Sequence, residues 1–219
     1  MRKVTIALVM VVLMAGTSFA FGIPKLGGKS KEAPAFSLDD AMAAQTDLVS
    51  AYVAGNKADL ETKSIIADAL GLKEQAAELM MASESINEGN AKDISATQAK
   101  TENAQKAVSE KMDESKDLSA DAKKKVGLSL ACLTKCVLSY KTAAGLSKGA
   151  LESAQSVVKN ASMTKVMSIK NDLGPVLSIA PKVPGDLTSV VATATKYVQF
   201  AKNAGVKPPS DLTSALGAL

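Results

Sequence analysis

Val126 to Leu146 reads VGLSLACLTKCVLSYKTAAGL, the most apolar stretch beyond residue 20. Its hydrophobic residues go nearly all the way round a helical projection, the pattern of a helix at the centre of a bundle. Lys135 and Lys141 argue against a membrane span. Gly145 and Gly149, with Ala143, Ala144 and Ala150 beside them, predict a close helix contact. Upstream, Ser119 with Asp121 in the first turn predicts the start of this helix.

Working outward, the same helical period recurs and strand alternation does not, which predicts an all-α fold: a multi-helix bundle of antiparallel helical hairpins. Ser37-Leu38-Asp39-Asp40 resembles a capping box with Asp in place of Glu. Leu38, Met42, Gln45, Val49 and Tyr52 then follow one face, with a stop or kink at Gly55-Asn56 and the pattern continuing through Leu60, Ile65, Ile66 and Leu70 to Gly71. Leu72 to Asn87 is a second amphipathic piece, carrying Leu79, Met80 and Ile86. Ala91 to Lys116 reads as one solvated outer helix with a thin stripe of Ile94, Ala104, Val108 and Met112, and with Glu102 placed to pair with Lys106. Later helices are expected over Met163 to Asn171 and over Asp186 to Asn203, the latter capped by Asp186 and closed by Gly205. Asp186 to Asn203 puts Val190, Val191, Ala194 and Tyr197 on one face. The bundle therefore occupies 37–205, and 206–219 is a short tail in which Leu212, Leu216 and Leu219 line one side and dock on the bundle or meet a partner.

Residues 1–20 read as a secretory signal: Arg2 and Lys3, an apolar run from Val4 to Ala15, and Ser18-Phe19-Ala20 as the cleavage site. Cleavage after Ala20 places the protein in a bacterial periplasm or outside the cell. The rival reading is an uncleaved anchor over Val4 to Phe21. Residues 21–36, opening FGIPKLGGKSKEAPA, form a flexible lead-in. Beyond the signal, Phe21 to Asp121 carries 11 Lys against 18 Asp plus Glu, and Ala122 to Leu219 carries 13 Lys against 4. Acidic and basic helices packing side by side explain this asymmetry; the sharper alternative is peripheral contact of a lysine-rich face with an anionic membrane surface.

Beyond Arg2 the chain has no His, no Arg and no Trp. Without imidazole there is no Ser-His or Cys-His dyad and no His-bearing metal site. Without guanidinium and with few aromatics, nucleic acid is not an expected partner. Gly27-Gly28-Lys29-Ser30 is only the tail end of a phosphate-binding loop, with no preceding strand. Ser147-Lys148 and Ser168 near Lys170 lack the partners of a Ser-Lys dyad. Glu102, Glu110, Asp113 and Glu114 read as a charged solvent face rather than a metal cluster, and Asn160-Ala161-Ser162 matches a glycosylation sequon that is idle in a bacterial protein.

Cys132 and Cys136 are the only thiols. Residues four apart on a helix have Cβ atoms roughly 5–6 Å apart, against about 3.5–4.5 Å in a disulfide, so a local bridge needs distortion. Two buried thiols, a strained local disulfide and a bridge to another chain all remain open. No cofactor is expected. The reading is a non-enzymatic exported bundle that binds a protein partner or a lipid-like apolar ligand, with Leu130, Leu133, Val137, Tyr140, Val191 and Tyr197 lining the core or the ligand. The alternative is a membrane-active protein that inserts its apolar central helix into a bilayer.

Overall fold

Ser37 opens the first helix as its sequence promised. Its Oγ accepts from the Asp40 N–H at 3.1 Å, and an Asp40 carboxylate oxygen accepts from the Ser37 N–H at 3.2 Å and from its hydroxyl at 2.7 Å, so two orphan N–H groups are satisfied reciprocally. In this computed structural model, which describes residues 36–115 and 117–218, the helix so begun, α1, runs without a break over Leu38–Ala69. The expected signal, the lead-in up to residue 35, Lys116 and Leu219 lie outside the described residues.

The stop or kink expected at Gly55-Asn56 is absent because both residues are used inside the helix. A Cβ on Gly55 would lie 2.7 Å from the Tyr140 ring, so the missing side chain is what admits the tyrosine. Asn56 is fully buried and donates to the Tyr52 carbonyl at 2.8 Å. The helix ends instead at Gly71, whose φ of +80° is left-handed and free of penalty only for glycine. Leu72 N–H then bonds the Ala67 carbonyl at 2.9 Å and Gly71 N–H the Asp68 carbonyl at 3.2 Å, a Schellman closure.

Next come α2, Lys73–Ser85, and a 3₁₀ turn, Glu88–Asp93. Ser64 Oγ donates to the Ala76 carbonyl at 2.7 Å and Ser83 Oγ to the Lys57 carbonyl at 3.1 Å, which clips α2 to α1. The single outer helix expected over Ala91 to Lys116 is split into α3, Ile94–Lys100, and α4, Glu102–Glu114. Thr101 marks the junction, with φ −93° and ψ 5° off the helical values and its hydroxyl bonded back to the Gln98 carbonyl at 2.9 Å. The thin stripe of Ile94, Ala104, Val108 and Met112 is buried as expected. Lys106 reaches Glu110 at 3.8 Å rather than Glu102, which sits in the first turn of α4, where the helix dipole favours a carboxylate by itself.

Ser119 accepts from Ala122 N–H at 3.2 Å and begins α5, which runs over Ala120–Asn160. It is not wrapped on every side. Val126, Leu130, Leu133, Val137 and Tyr140 are buried, mainly against α1, while Leu128 and Leu138 on the far side are 64% and 46% exposed. The glycine contact expected here is not made: Gly145 and Gly149 are exposed, and a Cβ on either would meet nothing within 4 Å.

The chain continues through α6, Val166–Asp172, and α7, Gly174–Ile179, to α8, Val183–Asn203. Asp186 is not the cap of α8 but lies in its first turn, because Pro184 at the helix start already supplies helical φ. Its carboxylate accepts instead from the Tyr52 hydroxyl. Gly205, with φ +75°, closes α8 as Gly71 closes α1: Val206 N–H meets the Ala201 carbonyl at 2.8 Å. The tail forms α9, Ser210–Gly217, and packs on α5 with Leu212 fully buried. No strand occurs among the described residues.

Candidate functional site

Five residues on α1, Gln45, Tyr52, Asn56, Asp59 and Lys63, repeat at helical steps and form a polar seam in a core otherwise built of Ala, Leu, Val and Ile. Burying such groups is costly unless each is bonded, and each is. Gln45 straddles the junction of α6 and α7, donating to the Asp172 carbonyl at 2.9 Å and accepting from Val176 N–H at 3.1 Å. Tyr52 donates to Asp186 at 2.8 Å. Asn56 accepts from Gln98 Nε2 at 2.7 Å. Lys63 donates to Asp59 at 2.6 Å and also to Gln105 Oε1; the Lys63 and Asp59 side chains are only 12% and 10% exposed.

At its Lys63 end the seam reaches open space between α4 and α8. Lys196 of α8 crosses that space, donating to Ser109 Oγ at 2.7 Å and to Asp113 at 3.0 Å. It borders two openings. One, of about 350 Å³, has Lys63, Gln105, Ser109 and Tyr197 on its walls; the other, of about 540 Å³, has Met112, Asp113, Gln199, Phe200 and Asn203. Both volumes are of the size that small organic ligands occupy. Tyr197 is 5% exposed as a residue, but its hydroxyl is not a stranded group: no buried side-chain nitrogen or oxygen among the described residues lacks a partner, so the hydroxyl opens to water at the cleft. Burial pushes its phenol well above the ordinary range, with Asp59 and Cys136 adding to the effect, so the group stays neutral and can donate a hydrogen bond.

Of the residues singled out from the sequence, Leu130, Leu133, Val137 and Tyr140 lie in the packed core and border neither opening. Tyr140 sits edge-on to Tyr52, ring centroids 5.8 Å apart at 77°. Val191 is half-buried on α8, and Tyr197 alone of the set borders an opening. Cys132 and Cys136 are free thiols, half-buried and buried respectively. Burial, with Glu61 beside Cys132 and Asp59 beside Cys136, pushes both thiols up, the reverse of what a thiolate nucleophile needs. Glu102, Glu110, Asp113 and Glu114 are all exposed, and no group of three His, Cys, Asp or Glu among the described residues is placed to hold a metal ion.

Asp59, Lys63, Gln105, Ser109 and Lys196 were not legible as a site, since a lysine or glutamine at helical spacing looks like ordinary solvated surface. One signal existed: Asn56, Asp59 and Lys63 continue the stripe that Val49 and Tyr52 mark as buried. No helix among the described residues is long and apolar enough to cross a membrane. No family model matches this sequence, and no curated protein or solved structure is similar to it.

Proposed function

We propose that this is an exported, non-enzymatic binding protein of the cell envelope, in which a helical bundle holds a fixed cleft between α4 and α8 for a ligand or partner segment. The observation that carries the reading is the contrast along one seam. From Gln45 to Asp59 every buried polar side chain of α1 is matched within the fold, whereas at α4 and α8 Lys196, Ser109 and the Tyr197 hydroxyl border an opening that water reaches. Polar groups that only water satisfies at an opening are the ones an arriving ligand can take over, with the water released.

The bundle is read as antiparallel hairpins. For α1 and α2 the support is the bond from Ser64 to Ala76 together with that from Ser83 to Lys57: as one helix advances the other returns. For α1 and α5 it is the Asp68 to Lys125 ion pair at 2.6 Å together with the Gly55 to Tyr140 contact. The membrane-active reading has Leu128 and Leu138 facing outward in its favour, and the want of a membrane-crossing helix among the described residues against it. Leakage of anionic liposomes on addition of the protein would establish it.

Native mass spectrometry of the protein released gently from its own envelope fraction, with and without reductant, tests the proposal. A co-purifying small mass or a stoichiometric second chain is expected. A bare monomer, together with no binding to envelope extract, removes the binding reading. A dimer lost on reduction reassigns Cys132 or Cys136 to an interchain bridge.

A further inference from the structure

The donors around the cleft have a chemical sense that the apolar-ligand reading lacks. An ammonium carries three N–H donors. Lys63 uses one on Asp59 and one on Gln105; Lys196 uses one on Ser109 and one on Asp113. Each keeps a third. Ser109 accepts from Lys196, which leaves its own O–H free to donate. Tyr197, bordering the same opening, adds a fourth donor, a hydroxyl that meets water there rather than a protein group. The two carboxylates nearby, Asp59 and Asp113, each already neutralise one lysine, so the pocket is close to electrically balanced while its spare hydrogen bonds are donors. A group that only accepts is the complement, and a negative charge on it strengthens the bonds that the two ammoniums give. On the other side of Lys196 the second opening offers Met112 and Phe200 with Gln199 and Asn203, a mixed wall suited to a carbon chain.

We propose that the α4/α8 cleft binds an oxyanion-headed amphiphile, its carboxylate or phosphate held by Lys63, Lys196, Ser109 and Tyr197 and its carbon chain lying past Lys196 against Met112 and Phe200. This rests on the reading of the protein as a binding protein and names the class of its ligand. Free fatty acid and lysophospholipid share that chemistry and are separated by the test. Lys196 lines both openings, so its remaining N–H is placed to meet a head group in one while the carbon chain lies in the other.

The experiment is isothermal titration of the full protein with decanoate, 1-decanol, inorganic phosphate and a short-chain lysophosphatidic acid, repeated on Lys196→Gln and Tyr197→Phe. Lys196→Gln removes the charge and one of three donors, Tyr197→Phe removes the hydroxyl, and thermal melts confirm that both fold. Decanoate or the lysophosphatidic acid is expected to bind at least about tenfold more tightly than decanol or phosphate. Each variant is expected to weaken that binding about tenfold, the worth of a hydrogen bond to a charged group. The tighter of the two identifies the source of the head group. Equal binding of decanol, binding unaffected in both folded variants, or no binding of any probe overturns the inference. The wider reading is judged separately, because a partner found by native mass spectrometry and retained by Lys196→Gln keeps a binding protein while removing this ligand class.

Discussion

Tyr52, Tyr140 and Tyr197 are the chain's three tyrosines, and all three belong to the polar seam or its immediate packing. Burial raises each phenol above its ordinary value near 10, with the bond to Asp186 adding to the effect at Tyr52. In the unfolded chain the same groups lose their protons near pH 10. The folded state therefore holds more protons above that pH, and stability must fall as pH rises. The contribution of the neutral phenols is whole below the ordinary tyrosine value and is lost above it, each group adding up to about 1.4 kcal/mol per pH unit to the slope. Alkaline titration followed by tyrosinate absorbance and by far-ultraviolet circular dichroism is expected to give one coincident transition, since the phenols ionise only as helix is lost. Tyrosinate formation at pH 10 with helix content intact would contradict the burial argument. Asp40 works in the opposite sense: its bonds to Ser37 hold the carboxyl below the usual range, so that cap is present above the ordinary carboxylate value and weakens as pH falls.

At the level of the helix, glycine carries two opposite meanings. In mid-helix it costs roughly 0.5–1 kcal/mol relative to Ala. At Gly145 and Gly149 of α5 nothing offsets that cost, since a Cβ would meet only open space. Gly145→Ala and Gly149→Ala are each expected to raise stability by about 0.5–1 kcal/mol in urea unfolding. At Gly55 of α1 the Tyr140 ring occupies the place of the Cβ, and Gly55→Ala is expected to lower stability by about 1–3 kcal/mol, the range for an overfilled core. A rise on Gly55→Ala would mean that the ring moves aside without loss. The same contrast explains what the sequence disclosed. Ser37, Ser119, Gly71 and Gly205 were legible because a cap or a left-handed closure is decided by neighbours within a few residues. Along α5 the sequence showed apolar residues nearly all the way round, and that Leu128 and Leu138 would face outward was not legible in it. Gly55 and Asn56 were read as a break because the reasons to keep them helical, Tyr140 and Gln98, stand far along the chain. The cleft was illegible for the same reason: Lys63 and Lys196 acquire meaning only when α1, α4 and α8 are brought together.

Over the whole molecule, three ion pairs among the described residues join the acidic and basic halves of the chain: Asp68 with Lys125, Asp113 with Lys196 and, at the boundary itself, Asp121 with Lys124. Partly exposed pairs of this kind contribute about 0.2–1 kcal/mol each, so charge asymmetry accompanies the assembly rather than driving it. Burial of small aliphatic side chains does the work, and in a core with so many alanines one helical turn looks much like the next. The polar seam removes that ambiguity. Replacing both partners of one of its bonds, Asn56→Leu with Gln98→Leu, is expected to leave stability within about 1 kcal/mol, because no donor is stranded. Two-dimensional amide NMR of the same variant is expected to give broadened or doubled resonances, and a single sharp set would show that apolar packing alone selects the fold. The seam is thus a vernier between α1 and its neighbours: a slide of one turn, about 5.4 Å, would strand its donors all together. Fixed register at α1 is also what keeps Lys63 level with Ser109 and Lys196, so the precision of the cleft is set by matched bonds lying farther along the same helix.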